Sequence, residues 1–430
     1  MASSFSGKFQ VTTQDIFQEK AIRLSFCHHA DCSSIHDASA DVATGHKNFP
    51  NADISELLCL LGQVPEFRAK RGREYDLSFI LAVCVLATLA GAKNYREIAT
   101  VASAICQCQL MAMGARWDIF RNRYRYPRRT LIWEVLGNVD ATELDRITGK
   151  WLLAQARKEK GEGREVEWVI AIDGKVLRGS WTDENDTVTL FSAMIQVKGI
   201  TIAQVRVPDE TNETTQVKTL VRQTDIRDGE SVLATLDAAH CNRETAEFIG
   251  GKPGWDYLIT VKTDKPTLYR EAKEILSPLL GNNPDNVMSE HSHGVIKTWS
   301  CWTSTAKGVN FPHIAQLACV CREVHKITGE KLTKDVAVLV TSRDAERMSA
   351  ADLNKHAREH WGIENKKHYI RDTVYREDCN QSWKGDGPQT LASFRNLSTS
   401  LFAMKSVKNI KEATEMIHMD RHLAFYFMAT

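Results

Sequence analysis

The sequence predicts a mixed α/β protein preceded by an all-helical region, and three observations carry that expectation. From Ile54 onward, apolar residues recur at helical spacing. After Val166 the period changes to short β-rich runs bounded by Gly, Pro, Asn or Asp. Those runs alternate as strand, strand, strand, helix, strand, helix, strand, the order of a mixed sheet that opens with a three-stranded meander.

Residues 1–50 mix Ser, Asp, His and Cys without apolar periodicity and read as an appended tail. Ile54, Leu57, Leu58 and Leu61 then fall at i, i+3, i+4 and i+7. The run Leu77 to Ala92 falls short of the roughly 20 apolar residues a membrane span needs, so it reads as a buried core helix. Tyr95 to Cys106 and Leu131 to Leu153 extend a helical domain over 51–160, closed by the charged link Arg157 to Glu167. Within 161–430, strands are expected at Val166 to Ile172, Val188 to Val197, Ile200 to Val207, Ser231 to Leu236 and Tyr257 to Val261. Helices are expected at Thr215 to Asp225, Arg243 to Ile249 and Thr267 to Leu279. Beyond a Pro/Asn turn region come strand candidates Gly294 to Trp302, Ile314 to Val324 and Val336 to Thr341. The end is helical again, over Ala350 to Val374 and Gln389 to Lys405.

A chain of 430 residues exceeds what one core usually supports, so two or three domains are expected. Its 43% hydrophobic and 25% charged composition excludes disordered and collagenous classes. The start lacks the basic and apolar stretches of a secretory signal, which predicts a cytoplasmic protein without membrane association. Cys27, Cys32, His28, His29 and His36, and the pairs Cys106/Cys108 and Cys319/Cys321, invite a zinc reading. No C-x-x-C spacing supports it, so the 11 Cys read mostly as core thiols. Walker-type, HExxH and GxSxG motifs are absent, which removes nucleotide-binding, metalloprotease and serine-hydrolase readings.

Two strands end on an aspartate. WVIAIDGK places Asp173 and VLATLDAAH places Asp237 at the C-terminal rim of a sheet, where open α/β sheets hold their ligands. On one face of the late helix, His360, Trp361, Lys367, His368 and Arg371 lie at i−4, i−3, i+3, i+4 and i+7 from Glu364. A face with an acid, two imidazoles and two cations is not a core face. The net charge of +1 hides one concentrated basic stretch. Between residues 116 and 129, Arg116, Arg121, Arg123, Arg125, Arg128 and Arg129 interleave with Trp117, Phe120, Tyr124 and Tyr126. It reads either as a DNA contact or as a solvated Arg-rich helix packed by Trp117 and Tyr124.

Taken together, AIDGK with LRGS, DAAHCNRETAEFI with DYLITVKTDKPTLY, and REHWGIENKKHYIRDTVYRED resemble the transposases of the ISAs1 group of insertion sequences, a DDE-type family. VPEFRAKRGREYDLSFILAVCVLATLAGAKNYREIA resembles that family's N-terminal associated domain. The resemblance runs from about Asp53 to about Lys405. It implies a ribonuclease-H-like catalytic domain over 161–430, with an insertion at about 265–340, behind a helical DNA-binding domain. It further implies Asp173, Asp237 and Glu364 as ligands of Mg²⁺, or alternatively Mn²⁺, with His360 and Arg371 acting beside them. The implied partner is double-stranded DNA, transposon ends and target alike, bound by a homodimer. Lys175, Lys262 and Lys367 join the six arginines as phosphate-contact candidates. The activity implied is cleavage and joining of DNA at the element's inverted repeats. The alternatives are a domesticated DNA-binding derivative and a metal-dependent nuclease without strand transfer.

Overall fold

The computed structural model describes residues 53–160, 167–181, 187–292, 294–363, 367–381 and 385–429. The predicted tail, 1–50, lies outside them. The chain forms two compact units, one containing residues 53–134 and 401–429, the other 135–400. No described helix is long and apolar enough to cross a membrane.

The first unit begins with α1 (Ser55–Leu61) and α2 (Leu77–Leu89). Almost every residue of α2 is buried, as its unbroken apolar sequence requires, and Gly91 beyond its end takes the left-handed φ of +82°. Helix α3 (Tyr95–Ser103) is capped by Asn94, whose side chain accepts from the N–H groups of Arg96 and Glu97. After α4 (Gln107–Ala112) comes a short hairpin of β1 (Trp117–Asp118) and β2 (Arg123–Tyr124), then α5 (Arg129–Asn138).

In the second unit α6 (Ala141–Lys160) is followed by β3 (Glu167–Trp181), β4 (Thr187–Ile195) and β5 (Ile200–Val207), an antiparallel meander as predicted. Helix α6, grouped with the N-terminal helices by its sequence, packs on β5 instead. Gly149 permits this, because a Cβ there would collide with the Ile202 carbonyl. Helix α7 (Glu213–Gln223) leads to β6 (Ser231–Leu236), and α8 (Arg243–Gly250) to β7 (Trp255–Val261). Strands β6 and β7 continue the sheet in parallel with β3.

After α9 (Pro266–Leu276), β8 (Asn286–Ser292), β9 (Val295–Thr305), β10 (Gln316–Lys326) and β11 (Lys331–Thr341) extend the same sheet. Its order is β5-β4-β3-β6-β7-β11-β10-β9-β8. The span of the expected insertion holds α9 and four antiparallel strands hung on β7, with the largely exposed β8 at the edge.

Helix α10 (Ala350–His360) starts in a capping box made by Ser349 and Asp352 and buries Leu353 and Ala357 against Leu233, Leu258, Ala318, Val320 and Leu339 of the sheet. Burying each such leucine contributes about 1.5–3 kcal/mol. Of the single helix expected over Ala350 to Val374, α10 ends at His360, and residues 364–366 lie outside the described residues. A wide helical turn at Lys367–His368 precedes α11 (Tyr369–Thr373). Helices α12 (Gly387–Met404), α13 (Ile410–Met419) and α14 (His422–Met428) end the chain. The last two correct the expectation that the catalytic domain runs to residue 430. Helix α14 packs on α2, and Phe427 meets Phe402 edge-on at 4.8 Å, so both helices complete the first unit.

Candidate active site

Asp173 and Asp237 occupy matching places on neighbouring strands. The parallel register pairs Ile172 with Leu236, so each aspartate is the next residue on its strand, roughly 5 Å from the other strand. Contrary to the expectation that its strand ends there, β3 runs on to Trp181 against β4 alone. Asp173 thus sits where β6 peels away and the sheet opens. Asp237 caps the turn Ala238–His240, accepting the Ala239 N–H at 3.1 Å.

A third carboxylate, which the sequence reading missed, stands beside them. Glu213 opens α7, and its carboxylate lies over the backbone of Gly174, where any Cβ would collide with it. Burial raises its pKa, and the charge of Asp237 raises it further. Beneath, the buried His240 places Nε2 3.7 Å from Glu213 and 3.8 Å from Asp237. Burial lowers its pKa, and neither ring nitrogen has a hydrogen-bond partner. The carboxylates of Glu213 and Asp237 thus flank one buried imidazole. Such oxygen donors suit a divalent cation, which would offset the burial and the Asp237 charge that raise Glu213. The signal for Glu213 was the glycine after Asp173, legible only once the fold sets α7 above it.

Glu364 lies outside the described residues. The helical segments on either side of it each reach a strand of the acid pair. His360 Nδ1 is hydrogen-bonded to Thr235 Oγ1 of β6 at 2.8 Å, and burial pushes its pKa down to about 4. His368 Nδ1 lies 3.7 Å from Asp173 Oδ2, with its pKa pushed down to about 3 by burial, then by Arg371 and Lys367. Both imidazoles are therefore neutral near pH 7, and His360 supplies a hydrogen bond but no charge.

Three of the predicted contacts point inward. Arg371 is completely buried and forks onto Glu377, with Nε–Oε2 at 2.7 Å and Nη2–Oε1 at 2.8 Å. Arg395 Nη1 also donates to Glu377 Oε1 at 2.8 Å. Burial alone would raise the pKa of Glu377, but the two guanidinium groups hold it at about 2. Arg371 is thus a structural cation here, unable to reach a phosphate. Lys175 Nζ donates to both oxygens of Asp372 at 2.8 Å, so it too is committed within the protein. Lys367 is buried with no hydrogen-bond partner for Nζ, and burial followed by Arg371 pushes its pKa down to about 7. The wide turn at Lys367–His368 departs from the 3.6-residue spacing on which Lys367 and Arg371 share a face with Glu364.

Lys262 remains exposed just past β7, on the strand beside β6. In the first unit the basic stretch forms the β1–β2 hairpin and the link from it to Arg129, the first residue of α5, where the sequence offered an Arg-rich helix. Asn122 at φ 48° turns it, and Trp117 packs edge-on against Tyr124 at 4.8 Å. Arg116, Arg121, Arg123, Arg128 and Arg129 are exposed, while Arg125 is engaged by Glu74 at 3.3 Å and Asp118 at 3.8 Å. Ile119 and Phe120 stand 73% and 94% exposed at the tip, flanked by these cations.

The family model described as "Transposase DDE domain" matches residues 164–400, and that described as "DDE_Tnp_1-associated" matches residues 58–152. "Putative transposase YncI" of Escherichia coli O157:H7 is 24% identical over 370 residues, covering 83% of this chain and 89% of the relative. The "H repeat-associated putative transposase YhhI" of Escherichia coli K12 is 24% identical over 391 residues, covering 86% and 97%. Among solved structures, a piggyBac transposase synaptic complex with hairpin DNA aligns over 88% of this chain and 79% of its own at 13% identity, with a TM-score of 0.36.

Proposed function

The chain belongs to the transposase DDE-domain family, and from that premise we propose that it cleaves and joins DNA at the inverted repeats of an insertion sequence of the ISAs1 group. The observation that carries this reading is the register that sets Asp173 and Asp237 side by side at the opening of the sheet. The order β5-β4-β3-β6-β7, antiparallel twice and then parallel twice, supports a ribonuclease-H-like core.

Asp173, Asp237 and Glu364 are the proposed ligands of Mg²⁺ or Mn²⁺, which when bound would activate the attacking oxygen and stabilise the leaving one. The chain's own part is positional. The paired strands fix two acids without any loop between strand and ligand, and the His360–Thr235 hydrogen bond ties the end of α10 to β6. Lys262 is the remaining phosphate contact at the rim. A homodimer on DNA would present two such sites, one for each end.

The test is an assay on a plasmid carrying the DNA that flanks the gene on both sides. Mg²⁺-dependent breaks exposing a 3′-hydroxyl at the inverted repeats, followed by joined products, are expected. Breaks without joining would favour the nuclease alternative, and binding without breaks the domesticated DNA-binding one.

The β1–β2 hairpin is the proposed contact to the element's ends, with guanidinium groups on phosphates and the Ile119–Phe120 tip against the bases. Changing Arg116, Arg121 and Arg123 together to Ala should flatten the dependence of binding on log salt concentration by up to about 0.9 per lost contact. An unchanged slope, measured by titration at several salt concentrations, would count against the hairpin.

A further inference from the structure

Three metal-ligating side chains unconnected with the acid site converge in the first unit. Cys106 immediately precedes α4 and Cys108 lies in its first turn, with their Sγ atoms 2.6 Å apart. His422, at the start of α14, brings Nε2 to 3.9 Å from Cys106 Sγ. The three ligand atoms lie within 4.8 Å of one another, and each residue is half-buried. We propose that Cys106, Cys108 and His422 hold a zinc ion, with water as the fourth ligand.

The donor set favours that ion. Two thiolates and an imidazole suit zinc far better than Mg²⁺ or Ca²⁺, which take oxygen ligands. Zinc at about 2.3 Å from sulfur and about 2.0 Å from nitrogen sets its ligand atoms roughly 3.5–3.8 Å apart, close to the Cys106–His422 spacing. The two sulfurs would open by about 1 Å to receive it. A disulfide would give the imidazole no role. The other Cys-x-Cys pair, Cys319 and Cys321 on β10, forms no such group with a His or an acid among the described residues.

The ion would brace the basic hairpin. Gln107, between the two cysteine ligands, accepts the Tyr124 N–H through Oε1 at 2.5 Å and donates through Nε2 to the Tyr124 carbonyl at 3.3 Å. Zinc would therefore tie α14 to the turn on which β2 hangs. The assignment is independent of transposition, since metal content reads it directly.

The experiment measures zinc in protein purified under reducing conditions and incubated with zinc sulfate. About one zinc per chain is expected, falling to near zero in each of Cys106→Ser, Cys108→Ser and His422→Gln but kept in the Cys319→Ala/Cys321→Ala double variant. Should those variants not fold, cobalt loaded into the unchanged protein decides, with a thiolate-to-cobalt charge-transfer band and the strong visible absorption of a tetrahedral site expected. No zinc in the unchanged protein, zinc retained by all three variants, or no thiolate band with cobalt would each overturn the assignment. So would a Cys106–Cys108 disulfide found by thiol titration.

Discussion

Asp237→Asn is expected to lower strand cleavage by roughly a thousandfold or more while leaving affinity for the DNA ends nearly unchanged. Asparagine keeps the volume of the side chain and an oxygen to accept the Ala239 N–H, so the turn Ala238–His240 should persist. What is lost is one charge and one hard ligand in a set where Glu213 already feels Asp237 as a repelling neighbour. Affinity should hold because it rests on phosphate contacts made by other residues. Asp173→Asn should behave alike, since the register makes the two positions equivalent. Single-turnover cleavage on pre-bound DNA separates chemistry from binding. Cleavage by Asp237→Asn at the unchanged rate would remove the acid pair from the reaction.

The second large effect is on stability. Glu377→Ala should cost about 3–5 kcal/mol, because it strands two buried guanidinium groups, those of Arg371 and Arg395, with no carboxylate between them. The group sits in a longer buried chain of polar contacts. Arg371 reaches Asn396, Asn396 donates to Gln204, and Gln204 donates to Asp145. Glu377 is held near 2 in the folded protein against an ordinary value of 4.5. Its contribution is therefore complete above about pH 4.5 and is lost as pH falls toward 2. Urea titrations at pH 7 and pH 3 check both the size and the sign. A Glu377→Ala protein within about 1 kcal/mol of the unchanged one at pH 7 would show the network to be dispensable.

Arg371 shows where the sequence could and could not be read. The acids were legible because a strand end is set by local signals, an apolar β-branched run followed by Asp-Gly or Asp-Ala. Their pairing depends on strand order, which the family resemblance implied and the register supports. The helix face around Glu364 assumes 3.6 residues per turn, a spacing that the wider turn at Lys367–His368 does not keep. Arg371 was consequently placed toward DNA, when it lies wholly inside the protein. Strand β8 was hidden in a turn region because an edge strand with an exposed, polar face lacks the apolar alternation that marks buried strands. The pair Cys106/Cys108 invites zinc in the sequence without a ligand set to support it, because its proposed third ligand is 316 residues away from Cys106, beyond the reach of any spacing rule.

Helices α13 and α14 return to the unit that the chain began, and this bears on how the protein is made. During synthesis the whole stretch 135–400 emerges between the two halves of that unit, a delay on the order of tens of seconds. Throughout it α2, apolar on every side, lacks one of the helices that pack on it. The sheet-bearing unit is continuous in sequence and emerges before the last residues do. The growing chain thus keeps apolar surface of its first unit exposed to chaperones until Leu423 to Met428 arrive.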